Sequence, residues 1–331
     1  VAALYLMEQG AVVRKVDQRV VVELEGRTVQ DIPLIKIDQV VIFGRVTVTA
    51  AATAMFLEHG IEVVYLTAYG KFLGRLQPPA PKNCLLRVAQ YRASLDGAAS
   101  AWLARCFVRG KIKNMLYVLQ RSRREGAAID EIFIQEIKKA LKALEGAANV
   151  DAIRGVEGVA SAVYFKAFGE MIKKDFSFAG RVKRPPTDPV NSLLSLGYTL
   201  LAKDMTSAVN TVGLDPYMGF LHRQRYGRTS LALDLMEEFR PVVVDTLVLA
   251  CINKGILKPE DFHREFGGAV YLQEEARKKF LVQYETKKNS EIRHPVFNYQ
   301  ASYRRCMDLQ ARLLAKHLTG EIDEYPPLVW R

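Results

Sequence analysis

The first 77 residues carry the pattern of strands. "AVVRKVD" and "RVVVELE" are β-branched runs separated by polar turn residues, "DQVVIFG" and "IEVVYLT" are short apolar runs, and "KFLGRLQ" is a further candidate. Among them, "TAAATAMFLEHG" spaces Ala, Met, Phe and Leu as a helix does and stops at Gly60, where a glycine just past a helix end belongs. One helix in a strand-rich segment predicts a small, mainly β N-terminal domain over 1–77.

"QPPAPK" then ends the pattern. Three prolines in four residues can continue neither a helix nor a central strand, so 78–83 reads as a proline-rich linker. Beyond it the apolar period becomes 3.6. Leu85, Val88 and Ala89 open one helix, and "AASAWLARCFVRGKIKNMLYVLQRSRRE" and "IDEIFIQEIKKALKALEG" are the next two. Four further segments continue the series as far as "NYQASYRRCMDLQARLLAKHLTG". Pro241 interrupts one of them, and either kinks that helix or starts another. The prediction is an α+β chain, with the β domain followed by a larger, all-α domain over 84–331.

Composition narrows the function. The chain has 331 residues, 49% hydrophobic and 25% charged, as ordinary globular proteins do, and no apolar run of about 18 residues that would span a membrane. Its start, "VAALYLMEQGAVVRKVD", meets charge too early for a secretory signal, and the missing initiator Met leaves room for processing or for a longer polypeptide. Cys84, Cys106, Cys251 and Cys306 show no CxxC spacing, which fits a reduced, cytoplasmic protein and not a cysteine-built zinc site. The formal charge of +11 favours polyanions such as nucleic acid.

Candidate chemistry concentrates in "GFLHRQRYGRTSLALDLMEEFRP". On a helix Asp234 and Glu237 share a face, while Glu238 is turned about 100° away and reads as a surface acid or an arginine partner. Two such acids are ordinarily a solvated face, yet like charges three apart repel unless a cation lies between them, and a divalent metal is the simplest one. His222 lies on the connection leading into this helix, and one imidazole with hard carboxylates suits manganese or magnesium. Glu157, between Gly155 and Gly158, supplies a third acid and reads as the start of an amphipathic helix.

"GVEGVASAVYF", "DPYMGFLHRQRYGRTSLALDLMEEFRP" and "NSLLSLGYTLL" together resemble the CRISPR-associated integrase family, the larger of the two core adaptation proteins. "RGKIKNMLYVL", "RKKFLVQYE", "IRHP" and "SYRRCMDLQARLLAKHL" extend the resemblance over essentially the whole chain. It implies a metal-dependent DNA strand-transfer enzyme, active in adaptive antiviral immunity, that inserts short foreign DNA segments into a CRISPR array. Carried over by position, the implied ligands of Mg2+ or Mn2+ are Glu157, His222 and Glu237, with Asp234 assisting catalysis. The family pattern ends its acid pair in D-x-x-D/E, and this chain has Glu at 237.

The basic residues then become candidates for double-stranded DNA, both the incoming prespacer and the CRISPR repeat. Arg105, Arg109 and Lys113 recur every four residues as a stripe, with Lys111 beside them. Arg223, Arg225 and Arg228 stand next to the implied metal ligands, and Tyr164 is a candidate for polar support. The resemblance also implies a homodimer through the β domain, assembly with the small ferredoxin-like CRISPR adaptation protein, and room for a fused or separate CRISPR-associated nuclease. Two alternatives stay open: a metal-dependent nuclease on branched or single-stranded DNA, and a non-catalytic DNA-binding scaffold.

Overall fold

The computed structural model describes residues 2–78, 83–182 and 185–330. The chain divides into two compact units, Val1–Ala80 and Pro81–Arg331. Most of the proline-rich linker read at 78–83 falls on residues 79–82, outside the described residues.

The first unit holds two four-stranded sheets. Strands β1 (Ala2–Leu6), β5 (Ile37–Phe43), β7 (Glu62–Leu66) and β8 (Phe72–Leu76) lie in that order, with the first three parallel and β8 antiparallel to β7. The second sheet runs β4 (Arg27–Pro33), β3 (Arg19–Leu24), β2 (Val12–Val16) and β6 (Thr47–Val48). Helix α1 (Ala50–Glu58) is capped by the Thr49 side chain and ends before Gly60, whose φ of 73° is the left-handed conformation a glycine adopts freely. Val13, Val20 and Val22 of one sheet, Leu4, Val40, Ile42 and Val63 of the other, and Met55 and Phe56 of α1 share one buried core.

The second unit is helical: α2 (Cys84–Leu95), α3 (Gly97–Arg124), α4 (Glu131–Glu145), α5 (Val150–Glu170), α6 (Pro189–Val212), α7 (Ser230–Met236), α8 (Thr246–Asn253), α9 (Glu274–Asn289) and α10 (Tyr303–Leu318). Side chains of Asp96, Asp130, Asn149, Asp188 and Ser302 accept backbone N–H bonds at the starts of α3, α4, α5, α6 and α10. Helix α3 packs on α4 and α5, and α6 packs on α7 and α10. Arg240–Asp245 forms a π-helical turn that runs directly into α8, and Pro241 stands at its start, so the proline begins a new helical segment after α7, wound as a π-helix in its first turn.

The fold class is α+β, as its periodicities predict. The helical unit also carries two short ribbons, β9 (Phe262–Arg264) with β10 (Val270–Leu272) and β11 (Glu291–Arg293) with β12 (Gln300–Ser302). Three-residue strands are too short to stamp an alternation on the sequence. Among the described residues no helix is long and apolar enough to cross a membrane.

Candidate active site

The imidazole of His222 is placed by the loop between α6 and α7. Gly213, with a φ of 99°, ends α6. Fully buried Gln90 of α2 then pins the loop, donating to the carbonyls of Asp215 and Met218 and accepting from the Asp215 N–H. At Gly219 the chain touches α7 so closely that a Cβ would come within 2.6 Å of Asp234 Oδ2. That approach delivers three backbone N–H groups to one carboxylate. Phe220 and Leu221 donate to Asp234 Oδ2 at 2.6 and 3.0 Å, and His222 donates to Oδ1 at 2.9 Å.

Asp234 also receives His222 Nδ1, 2.7 Å from its Oδ1. A carboxylate only accepts, so Nδ1 carries a proton, and the second ring nitrogen, Nε2, is the one left to act as a metal ligand. Nε2 lies 3.8 Å from Glu237 Oε1. A carboxylate fixing the distal nitrogen while the proximal one faces a second acid is the usual support of a metal-binding histidine.

Glu157 approaches from α5. The helix begins at Val150, seven residues earlier than the glutamate, because Asn149 caps it; Glu157 therefore sits in the helix interior, not in its first turn. Gly155 and Gly158 lie within the helix, and nothing stands within 4 Å of where their Cβ atoms would be. The surface beside Glu157 is bare.

What joins Glu157 to Glu237 is Lys111 of α3. Its Nζ donates to Glu157 Oε1 and lies 2.6 Å from Glu237 Oε2, with 8% of the lysine side chain exposed. Arg240 Nε reaches Glu237 Oε1 at 3.0 Å, and its guanidinium lies 4.6 Å from the Tyr198 ring centre. Burial works against every one of these charges, yet the pairing prevails. The carboxylates of Glu237 and Glu157 keep the Lys111 ammonium above its ordinary range, Lys111 holds Glu157 below its own, and Arg240 with Lys111 holds Glu237 down to about 2.

Glu157, His222 and Glu237 thus meet around one small region. Among the described residues, however, no three histidine, cysteine or acidic side chains are already set to grip a metal ion. The two glutamates instead share an ammonium. The donor set still fits Mg2+ or Mn2+: two carboxylates within reach of one cation, and an imidazole nitrogen turned toward one of them.

Glu238 is not the surface acid its helical position suggests. It is fully buried, accepting from Gln310, from the Tyr325 hydroxyl and from the Leu328 N–H, and burial pushes its carboxyl up to about 8. Asn114 of α3 closes the same knot, donating to the carbonyls of Glu238 and Leu328 and accepting from the Trp330 N–H. Gly110 allows this packing, since a Cβ there would press to 3.0 Å on Glu238 and Pro327.

The basic candidates divide. Arg223 and Arg225 are exposed on the loop beside His222, Lys113 is exposed on α3, and Arg228 is half-buried. Arg105 donates to the Ala147 carbonyl and Arg109 makes a two-pronged pair with Glu145, so both are partly engaged within the protein. Two residues depart from the surface role read for them. Lys111 turns inward to the acids, and Tyr164 is fully buried in α5 beside Asp245, so it offers no atom to a DNA backbone.

The family described as "CRISPR associated protein Cas1" matches residues 4–286. The chain belongs to the Cas1 family. It is 42% identical to "CRISPR-associated endonuclease Cas1 2" of Rhodospirillum rubrum, over 99% of this chain and 98% of that protein. It is 38% identical to a "CRISPR-associated exonuclease Cas4/endonuclease Cas1 fusion" of Geobacter sulfurreducens, over 99% of this chain and 60% of that one. Among solved structures, a "Casposase bound to integration product" superposes with a TM-score of 0.86 at 25% identity, covering 98% of this chain and 92% of that one.

Within this Cas1 fold, sequence reasoning missed the inward role of Lys111, the pairing of Arg240 with Glu237, and the buried knot around Glu238. A signal for Lys111 exists. Of the four residues one turn away from it, Phe107, Val108 and Met115 are apolar and Asn114 is polar, and all four are buried, so a lysine among them occupies a core face and needs a buried partner. Nothing local in the sequence announces that Tyr325 and Leu328 reach back to Glu238.

Proposed function

We propose that this chain joins the 3′-hydroxyl ends of short DNA to a CRISPR repeat by metal-dependent strand transfer. The observation that carries the reading is the convergence of Glu157, Glu237 and the His222 Nε2 on one cation-holding region beside exposed arginines. Glu157, His222 and Glu237 would hold Mg2+ or Mn2+, which polarises a phosphodiester and makes a hydroxyl acidic. Asp234 keeps the imidazole turned with Nε2 inward, and Arg240 keeps Glu237 ionised and in place. Arg223, Arg225 and Arg228 bind phosphates around the attacked bond, and Lys113 tracks the duplex backbone farther along. The incoming 3′-oxygen forms a bond to phosphorus, the bond to the repeat's own 3′-oxygen breaks, and that oxygen leaves as a new 3′-hydroxyl; one phosphodiester replaces another.

Hydrolysis is the second reading. Water in place of the 3′-hydroxyl would release fragments at the same residues, and the endonuclease names of the relatives favour keeping it. The partners follow the same proposal: prespacer and repeat DNA, a second copy of the chain through the β unit, the small ferredoxin-like adaptation protein, and a nuclease of the kind fused to the Geobacter relative. The work belongs in the cytoplasm, where the array resides.

A labelled duplex with free 3′-hydroxyl ends, incubated with a supercoiled repeat-bearing plasmid and Mg2+ or Mn2+, tests the reading. Covalent joining that disappears in Glu157→Ala and His222→Ala is expected. Fragment release without joining supports the nuclease, DNA binding with neither supports the scaffold, and joining at an unaltered rate by both variants refutes the site.

A further inference from the structure

Lys111 differs from the other basic residues of α3. Its side chain is buried, with Phe107, Val108, Asn114 and Met115 buried a turn away, and its ammonium ends bonded to Glu157 and 2.6 Å from Glu237 Oε2. The two carboxylates come from different elements, α5 and the residue closing α7, so no local geometry obliges them to approach. Both are negative, Glu237 shielded at 4% side-chain exposure and Glu157 partly open at 25%, and a cation between them stabilises their closeness. In the folded chain the ammonium is that cation.

An ammonium and a divalent ion cannot both occupy the same oxygens, because the two positive charges would repel at short range with little water to screen them. Retreat is also restricted for Lys111. Of the other charged groups around it, Arg240 is positive and sits on Glu237, Asp234 is already committed to three N–H groups and His222, and buried Asp245, which feels the Lys111 charge, already accepts from the Tyr198 hydroxyl.

Resting on the metal-ligand reading above, we propose that Lys111 is a competing cation built into the site: its ammonium holds Glu157 and Glu237 together in the metal-free chain and gives up that place when a divalent ion binds with His222. The site is then preassembled at the cost of metal affinity. A neutral residue at 111 leaves the two acids without the cation that joins them, Glu237 keeping only Arg240, which weakens the metal-free fold and raises the site's appetite for a divalent ion.

The test uses the full chain and Mn2+ alone, titrated while free Mn2+ is followed by electron paramagnetic resonance, with thermal melts alongside. Lys111→Met is expected to melt lower than the parent without metal, to bind Mn2+ at least about tenfold more tightly, and to gain more in melting temperature on adding it. His222→Ala locates the ion. If His222→Ala removes the Mn2+ binding but Lys111→Met binds no more tightly than the parent, the competition is refuted while the ligand reading stands. If the parent shows no Mn2+ binding that His222→Ala removes, both fall together. Should Lys111→Met fail to fold, Lys111→Gln is measured for the same tightening. Should neither fold without metal, both are expected to fold once refolded in Mn2+, and failure of that rescue overturns the proposal.

Discussion

Glu237 and Glu238 are consecutive, both buried, and driven to opposite protonation states. Burial opposes the charge of each. At Glu237 the cations Arg240 and Lys111 overcome it and hold the carboxyl down to about 2. At Glu238 burial prevails over the hydrogen bonds from Leu328, Tyr325 and Gln310 and pushes the carboxyl up to about 8. One backbone step separates an acid that faces cations from an acid that ties down the chain's last residues.

Glu238 therefore makes stability depend on pH. The folded chain keeps its proton up to about 8, whereas the unfolded chain releases it near the ordinary 4.5. Its contribution is fully present below 4.5 and fades as pH rises toward 8, at no more than about 1.4 kcal/mol per pH unit. Glu238→Gln, which cannot ionise, is expected to flatten this decline. Urea unfolding across that range reads the slope, and an unchanged slope in the variant rules the assignment out.

Glu237 acts in the other direction. Its pairing contributes above the ordinary 4.5 and is lost as pH falls from there toward about 2. Glu237→Gln at neutral pH leaves the buried Lys111 and Arg240 short of a partner and is expected to cost about 3 kcal/mol, together with at least a hundredfold of DNA joining. The stability difference from the parent should shrink in acid. A difference that stays constant down to the acid limit would show that the charge pairing is not its source.

Asp234 is expected to matter for folding as well as for chemistry. Asp234→Ala strands the N–H groups of Phe220, Leu221 and His222 and frees the imidazole, which should destabilise the chain by about 3 kcal/mol or more. Asp234→Asn keeps an acceptor oxygen and should fall between the two. Denaturant titration gives the ranking, and NMR of the His222 ring reports whether Nδ1 has lost its partner.

DNA affinity should separate the surface from the interior. Tyr164→Phe is expected to leave duplex binding within about twofold, because the ring is sealed inside the helical unit. Arg225→Ala is expected to weaken binding and to lower the slope of affinity against salt by about one phosphate's worth. A Tyr164→Phe variant with the larger loss would reverse this division.

The architecture was largely legible in the residues, and for a physical reason. Strand and helix periods differ, and the change near "QPPAPK" marks where one gives way to the other. The candidate site was legible as a set of residue types: Glu157, His222, Asp234 and Glu237 do gather, although a sequence cannot say what lies between them. Lys111 was read with its charged neighbours as a surface residue, since charge near an arginine stripe outweighed the apolar positions around it. Tyr164 was misjudged similarly, because a tyrosine tip is polar but its ring packs well inside. The Glu238 knot depends on contacts with residues more than seventy positions away, which no local pattern encodes.

The π-helical turn at Arg240–Asp245 bears on what changes of length the chain can survive. A π-turn accommodates one residue more than an α-turn of the same rise. Removing a single residue there would let the segment wind as an ordinary α-turn and leave Val248, Cys251 and Ile252 on the faces on which they are now sealed, whereas the same deletion inside α8 would rotate everything beyond it by about 100°. The π-turn is thus the one place along this helical run where the chain carries a residue to spare, and the loss of one codon there is expected to cost the packing of α8 less than the same loss one turn later.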